Sequence, residues 1–173
     1  MLTLNGSCHC GQVKFTVQSQ TPVPYNRCYC TICRKLQGGG GYSINIMGIA
    51  DTFKIVQGEK YTKRYQAIPT TADPVTGNII EAGGMDRYFC TECGAYLWGW
   101  DKDYPENIYP FASAIDTPLP TPTHTTHLRL DSVASWANPR QPIYFDQSKA
   151  AFFDEYPDLS IYEWHKKFGQ FSK

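Results

Sequence analysis

Apolar and polar residues alternate in several short segments of this chain, as they do in strands with one buried face. In residues 11–17, Val13, Phe15 and Val17 are separated by polar side chains, and this period of two predicts a strand. Residues 41–46 repeat the alternation. Further short strand candidates follow at residues 52–58, 60–66, 87–90, 95–100, 107–113 and 126–130. The pattern therefore predicts a mainly β chain.

Helical periodicity is clear in one segment near the C-terminus, at about residues 158–169. Ser160 is suited to cap this helix, Glu163 follows three positions later as in a capping box, and Gly169 is suited to end it. A second, shorter helical turn is expected from residue 33 to residue 37. The apolar positions of the C-terminal helix recur at helical spacing: Ile161, Trp164 and Phe168.

Length and composition indicate a single domain, 1–173, with its core at about residues 3–136 and a C-terminal extension. Apolar residues make up 42% of the chain and charged residues 18%, which is typical of a globular protein. Sixteen basic and sixteen acidic residues cancel, and no basic run suggests a nucleic-acid partner. Because no apolar run reaches a bilayer span and no signal peptide is recognisable, we expect no membrane association and a cytoplasmic location.

The seven cysteines lie in three clusters, and this grouping favours metal binding over disulfides. Cysteines two positions apart in an extended segment face the same side, so one metal ion can take both thiolates where a disulfide would need a strained ring. The clusters are Cys8 with Cys10, then Cys28 with Cys30 and Cys33, then Cys90 with Cys93.

The last cluster has the spacing of a zinc knuckle. Cys90 and Cys93 are separated by two residues and followed by Gly94, whose conformational freedom lets backbone N–H groups approach the sulfurs. A redox-active pair would need a βαβ context, which the pattern lacks. This pair needs two further ligands, and Cys8 and Cys10 can supply them, giving a structural four-cysteine zinc site.

Cys28, Cys30 and Cys33 then remain as a set of three. Zinc with three protein ligands and one open position is the catalytic pattern. In the alternative, a histidine completes the set and both sites are closed and structural. The candidates for that fourth ligand are His9, His124, His127 and His165.

Three thiolates make a soft zinc site with a formal charge of −1, which suits a substrate sulfur held next to a carbonyl group. The catalytic groups other than zinc-bound water or substrate are not identifiable from the sequence. Arg27, Arg34 and Lys35 flank the cluster, where they either anchor an anionic substrate or form a solvated rim.

Three segments carry a resemblance to a known family: "GSCHCGQVKFTV", "CYCTICRK" and "RYFCTECGAYLW". In order and spacing, over about residues 3 to 136, they resemble the glutathione-dependent formaldehyde-activating enzymes, a family that also includes centromere-protein-V-like domains. The tail from residue 156 is similar to the tails of fungal members. The resemblance implies a β-tent-like fold of short antiparallel strands with a C-terminal helix, and addition of glutathione to formaldehyde, a carbon–sulfur lyase activity. It also implies two zinc ions per chain, a structural one at Cys8, Cys10, Cys90 and Cys93 and a second, catalytic one at Cys28, Cys30 and Cys33. Because three ligands bind less tightly than four, we expect the second zinc to be less fully occupied.

Three functions are therefore compared. The first is a zinc lyase or thiol-adduct synthase that acts on a small carbonyl compound with glutathione. The second is a zinc lyase or dehydratase of specialised metabolism that does not use glutathione, and the third is a non-catalytic zinc module that binds a protein. Residues 67–84 interrupt the strand pattern with glycines and prolines, and we expect them to form a wall of the three-cysteine site.

Overall fold

The structure is a computed structural model that describes residues 1–37, 39–67, 84–141 and 146–172. The expected wall at residues 67–84 therefore lies almost entirely outside the described residues. The helices and strands are β1 Leu2–Ser7, β2 Lys14–Ser19, β3 Asn26–Cys28, α1 Thr31–Leu36, β4 Gly48–Ile49, β5 Lys54–Gln57, β6 Thr62–Gln66, β7 Asp86–Cys90, β8 Tyr96–Trp100, β9 Asn107–Pro110, β10 Thr125–Leu128, β11 Ala150–Phe152 and α2 Ile161–Phe168.

Two antiparallel sheets and one small parallel sheet make up the described strands. The first sheet has the order β1-β2-β5, and the second has the order β4-β9-β8-β7-β6. The third has the order β11-β10-β3, and both of its strand pairs are parallel. The prediction of a mainly β fold with a C-terminal helix is confirmed, with the difference that one sheet is parallel. Parallel neighbours need long connections, and β3 and β10 are almost one hundred residues apart in the chain.

The main core lies between the two antiparallel sheets. Because side chains alternate along a strand, Phe15 and Val17 of β2 point inward with Leu4 of β1, and all three are almost completely buried. The Phe15 ring meets Trp98 of β8 edge-on, with 5.2 Å between the ring centroids. Burying these apolar groups is the main force that holds the two sheets together.

A second, smaller core joins α2 to the rest of the fold. Trp164 is 2% exposed and stacks on Tyr25, with ring centroids 3.7 Å apart and planes 12° from parallel. Val23 is buried in the same cluster, and Ile161 and Phe168 pack against it. The apolar face that the sequence predicts for the C-terminal helix is thus the face that docks.

The ends of α2 are fixed by the residues that the sequence predicts. The backbone N–H of Glu163 donates to the Ser160 hydroxyl, and the Ser160 N–H donates to the Glu163 carboxylate at 2.8 Å. Gly169 ends the helix in the left-handed conformation, at φ 62°. The helix begins at Ile161, later than the expected residue 158, because Ser160 takes the cap position.

Two local predictions were wrong in detail. Residues 41–46 do not form a strand. Instead, Ser43 pairs with Cys28 and Asn45 pairs with Phe111. The segment thus passes from one sheet to another and forms one isolated β-bridge with each. The short helix begins at residue 31 rather than 33, because the side chain of Cys30 occupies its cap position and accepts from the Cys33 N–H.

No α-helix in the described part of the chain is long and apolar enough to cross a membrane.

His165 is a polar side chain inside the smaller core, and its tautomer is fixed by two backbone groups. The Val23 N–H donates to Nε2 at 3.3 Å, so Nδ1 carries the proton and donates to the Ile161 carbonyl at 2.8 Å. The side chain is fully buried. Burial lowers the pKa of His165, although the hydrogen bond to Ile161 acts in the opposite direction. The neutral ring is therefore the form that stabilises the docked helix.

We predict a specific loss of stability in weak acid through His165. Its stabilising effect is complete above the unfolded-state pKa of about 6.5 and is lost as the pH falls below it, by up to about 1.4 kcal/mol per pH unit. His165→Gln should be less stable than the parent protein at pH 7.5, and the difference in unfolding free energy should shrink between pH 6.5 and pH 5. Lys166→Gln, on the exposed side of α2, is the control, and its difference should not change with pH. A difference for His165→Gln that stays constant over this range would contradict the prediction.

Candidate metal centres

Four sulfur atoms from distant parts of the chain come together at one end of the main core. Cys8 and Cys10 lie in the turn between β1 and β2, Cys90 ends β7, and Cys93 lies in the turn before β8. The four Sγ atoms are all within 4.8 Å of one another. Cys8 and Cys90 are buried, whereas Cys10 is exposed and Cys93 is partly so. We call these residues the four-cysteine group.

The two turns that carry this group have the same construction. The Cys8 N–H donates to the Val13 carbonyl and the Cys90 N–H donates to the Ala95 carbonyl, five residues ahead in each case. Gly11 and Gly94 both have φ 72°, a left-handed conformation that glycine adopts without steric cost. Each glycine follows a cysteine and lets the chain turn back below the sulfurs. The same backbone geometry thus presents two pairs of thiols to one point.

The sulfur positions fit a tetrahedral metal site. Zinc–sulfur bonds of about 2.3 Å place tetrahedral sulfur ligands about 3.8 Å apart. The Cys8 and Cys10 sulfurs are 3.5 Å apart, and the Cys10 and Cys90 sulfurs are 3.8 Å apart. The Val13 N–H also donates to the Cys8 sulfur at 3.2 Å, as expected beside a thiolate. This donor set can hold a metal ion.

One member of the four-cysteine group ionises readily. Burial opposes ionisation of Cys93, but N–H groups of Ala95 and Cys10 and the neighbouring sulfhydryls of Cys10 and Cys90 outweigh it and lower the pKa of Cys93 to about 6. Further thiolates in the same small volume repel one another unless a cation lies among them. A bound metal ion would remove this repulsion.

The second set of sulfurs, the three-cysteine group, is built within one short segment. Cys28 ends β3, Cys30 caps α1, and Cys33 lies in the first turn of α1. Their Sγ atoms also lie within 4.8 Å of one another. The Cys33 N–H donates to the Cys30 sulfur at 3.4 Å. Cys30 and Cys33 are 8% and 6% exposed, so this group is more enclosed than the first.

Within the three-cysteine group, Cys30 is the thiol that ionises first. Hydrogen bonds from the sulfhydryls of Cys28 and Cys33 lower the pKa of Cys30 to about 2, helped by the backbone N–H groups at the start of α1. The corresponding hydrogen bonds with Cys30 and Cys33, together with burial, raise the pKa of Cys28. The neighbouring sulfhydryls and burial thus oppose ionisation of Cys28, and a divalent cation bound among the three sulfurs would favour it.

Two residues that the sequence analysis did not single out lie beside the three-cysteine group. Arg129 has φ 62° and ψ 44°, the one left-handed residue other than glycine in the described chain. Its guanidinium binds both carboxylate oxygens of Asp131, at 2.9 Å and 2.8 Å, and lies 5.4 Å from the centre of the Tyr156 ring. Such strained backbone is often found at functional sites.

Tyr156 is the second of these residues. Although 64% of its surface is exposed, burial and then the negative charge of the three thiols raise the pKa of its phenol. Tyr156 is therefore close enough to the three-cysteine group to feel its charge, although much of its surface faces solvent. No motif in the sequence marks Arg129 or Tyr156, because they reach the site only through the pairing of β10 with β3.

None of the four histidines joins either cysteine group in the described structure. His9 is exposed at the first turn, and His165 is held in the smaller core. His124 stacks on Phe168, with 4.0 Å between ring centroids. The closed second site with a histidine ligand is therefore not supported by the positions of these residues.

His127 is fully buried and is the register partner of Arg27, next to Cys28. Its side chain contacts another set of partners. Arg27 donates to its Nε2 at 3.3 Å, so Nδ1–H donates to the Tyr29 hydroxyl at 3.1 Å. Burial, followed by the charges of Arg27 and Arg140, lowers the pKa of His127 to about 4. Arg27, expected at the rim of the site, thus belongs to this buried network and also lies over the Tyr42 ring.

The other predicted basic residues lie on α1. Arg34 is partly buried, and its Nε–H has no hydrogen-bond partner among the described residues. Lys35, on the same helix, is exposed. Arg34 therefore places a positive charge beside the three-cysteine group, with its Nε–H buried.

Fold and site together define a class of protein: a mainly β protein with two groups of cysteines, each able to hold a metal ion. The chain belongs to the glutathione-dependent formaldehyde-activating enzyme family, whose sequence profile matches residues 3–128. The family resemblance seen in the cysteine motifs is thereby confirmed.

A relative and a solved structure extend the comparison. A Halomonas elongata protein, provisionally named glutathione-dependent formaldehyde-activating enzyme, is 44% identical over 168 residues, which cover 97% of this chain and 98% of the relative. A crystal structure of a Rhodobacter sphaeroides protein superimposes with a TM-score of 0.48 at 18% identity, over 86% of this chain and 98% of that one.

We predict that the two cysteine groups differ in what they contribute to folding. The four-cysteine group joins segments about eighty residues apart, so its metal-binding energy is largely folding energy. Cys93→Ala should be insoluble or strongly destabilised. The three-cysteine group spans six residues and closes almost no loop, so Cys30→Ser should keep the fold and lose about one zinc ion per chain.

Thermal unfolding and metal analysis of the two purified variants compare their stability and their zinc content. Equal destabilisation by Cys30→Ser and Cys93→Ala would mean that both groups are structural, and the catalytic interpretation of the three-cysteine group would then be abandoned.

Proposed function

We propose that this protein catalyses the addition of a thiol to a small carbonyl compound at the three-cysteine group. The reaction for which the family is named, with glutathione as the thiol and formaldehyde as the carbonyl, is the reference case. The observation that carries the proposal is the difference between the two groups: one has four sulfurs, and the other has three within the same mutual distance. The 44% identity to the Halomonas relative supports the same reaction.

The proposed metal assignment follows from the chemistry of the donors. Zinc is the ion that thiolate sets of three and four favour. Cys8, Cys10, Cys90 and Cys93 would hold a structural zinc, and Cys28, Cys30 and Cys33 would hold a catalytic zinc. When bound, a zinc ion with an open position supplies a Lewis acid and a site for a sulfur or oxygen ligand.

The reaction forms one carbon–sulfur bond. The sulfur of glutathione bonds to the carbonyl carbon of formaldehyde, the carbon–oxygen π bond opens, and the thiol proton ends on the former carbonyl oxygen. The product is S-(hydroxymethyl)glutathione, and the reverse reaction is the carbon–sulfur lyase activity. No redox step or further reactant is needed.

Residues of this chain would position the reactants. The positive charge of the partly buried Arg34 would attract a carboxylate of the thiol substrate. The raised pKa of the Tyr156 phenol keeps that group protonated at neutral pH, so it can donate a hydrogen bond toward the reacting oxygen. The buried Arg27–His127–Tyr29 network supports the segment that holds Cys28 and Cys30. We place this activity in the cytoplasm, where glutathione is abundant and thiols stay reduced.

Exchange NMR with ¹³C-formaldehyde and glutathione tests the proposal. The zinc-loaded protein should accelerate the exchange between free formaldehyde and the glutathione adduct, and Cys30→Ser should return it to the uncatalysed rate. Tyr156→Phe should slow the exchange by about tenfold or more, because a hydrogen-bond donor to the reacting oxygen is lost.

Tyr162→Phe, at an exposed position of α2 away from the cysteines, is the matched control and should be as active as the parent protein. Exchange that is no faster with the fully zinc-loaded protein than without it would exclude the proposed reaction for this pair of substrates.

A further inference from the structure

A cavity of about 410 Å³ lies between the parallel sheet and α2. Its walls are largely apolar, with Leu128, Phe153 and Trp164 among the lining residues. The part of the chain that supplies β11 and α2 lies beyond residues 3–128, the stretch matched by the family profile. The cavity is therefore formed in part by a segment that lies outside the stretch matched by the family profile.

The cavity and the three-cysteine group lie on the same face of the parallel sheet. Asn26 lines the cavity, and Cys28 follows two residues later on the same strand, so both side chains point the same way. The separation along the strand is roughly 7 Å. Leu128, which also lines the cavity, is the register partner of Cys28. Tyr156 lines the cavity as well and is the residue whose phenol is influenced by the three thiols.

The polar groups of the cavity have a definite arrangement. Lys149 and Lys167 are its charged lining residues, and no carboxylate is present among the described ones. The Lys149 Nζ atom is 3.5 Å from a carboxylate oxygen of Asp146. Asp146 lines the neighbouring cavity instead. Lys167 takes part in none of the described ion pairs. The cavity therefore has a cationic edge without a fixed anion of its own.

One acceptor in the cavity is left without a donor. The Oδ1 atom of Asn26 is buried and has no hydrogen-bond partner among the described residues. A buried acceptor of this kind is normally satisfied by a bound group or an ordered water molecule. A turn of the Asn26 side chain would present this acceptor to the hydroxyl of a thiol–carbonyl adduct in the cavity, and Asn26 lies on the side of the cavity that leads to Cys28.

We propose that the cavity binds an amphipathic carboxylate, with its apolar body against Trp164 and Leu128 and its carboxylate at Lys167 and Lys149. The opposite end, a carbonyl group or its thiol adduct, then lies at Asn26 beside the three-cysteine group. This second part rests on the proposed function and makes the carbonyl substrate a larger aldehyde acid than formaldehyde. Glutathione does not suit the cavity, because its ammonium group would find no carboxylate among the described lining residues.

Calorimetric titration of the zinc-loaded protein tests the binding site without turnover. The probes are 4-phenylbutanoate, 4-phenylbutan-1-ol, 4-phenylbutylamine and glutathione. The carboxylate should bind about tenfold more tightly than the alcohol, because it gains a charge-assisted contact, and the amine and glutathione should bind more weakly still. The same order should be found for Cys30→Ser, because the cavity does not depend on the second zinc.

Two substitutions locate the site. Lys167→Gln should remove most of the preference for the carboxylate, whereas Lys166→Gln, one residue earlier in the same exposed helical turn, should keep it. Ala151→Phe places a ring in the cavity and should abolish binding of all the phenyl compounds. Equal affinity for carboxylate and alcohol, or equal effects of the two lysine substitutions, would overturn the assignment.

A turnover experiment tests whether a ligand bound in the cavity extends to the three-cysteine group. With 4-(4-formylphenyl)butanoate as the carbonyl substrate, Lys167→Gln should raise KM about tenfold and leave KM for formaldehyde unchanged. Tight carboxylate binding without any thiol addition would keep the cavity assignment and reject the proposed function. Thiol addition without any preference for the carboxylate would keep the proposed function and reject the cavity assignment.

Discussion

Repulsion among crowded sulfur atoms is the constraint on which the rest of this structure depends. Four sulfurs from two hairpin turns, about eighty residues apart in the chain, lie within 4.8 Å of one another. At least one of them ionises readily, since the pKa of Cys93 is about 6. A cation at their centre would convert this repulsion into a cross-link between the β1–β2 hairpin and the β7–β8 hairpin. These hairpins belong to the two sheets that enclose the main core, so the cross-link would fix how the sheets meet.

The three-cysteine group is related to the fold in another way. Its sulfurs come from one turn and hold no distant segments together, so a metal ion bound there would be available for the proposed chemistry. Its surroundings come from far along the chain: β10 brings Leu128 and Arg129 beside Cys28, and the segment before α2 brings Tyr156. The proposed reactive position is therefore built locally, whereas the pocket beside it is assembled by the parallel sheet and the C-terminal helix.

Much of this arrangement was predictable from local sequence signals. Alternation identified β2, β5 and β8, and the capping residues Ser160 and Glu163 identified α2, because these features depend on neighbouring residues alone. The division of the cysteines into four and three followed from spacing and ligand count. The parallel sheet was not predictable, because β3 and β11 are three residues long and carry no distinct period. Arg129, Tyr156 and the cavity depend on that sheet, so they were missed with it.

X-ray absorption at the zinc edge of the two-zinc protein tests the central claim, a closed site and an open site. We expect seven sulfur ligands and one oxygen or nitrogen ligand shared between two zinc ions, with none of the outer-shell scattering that imidazole rings produce. Addition of glutathione should replace the light-atom ligand with an eighth sulfur. Imidazole scattering from a bound histidine, or a spectrum that glutathione leaves unchanged, would contradict the open three-cysteine site.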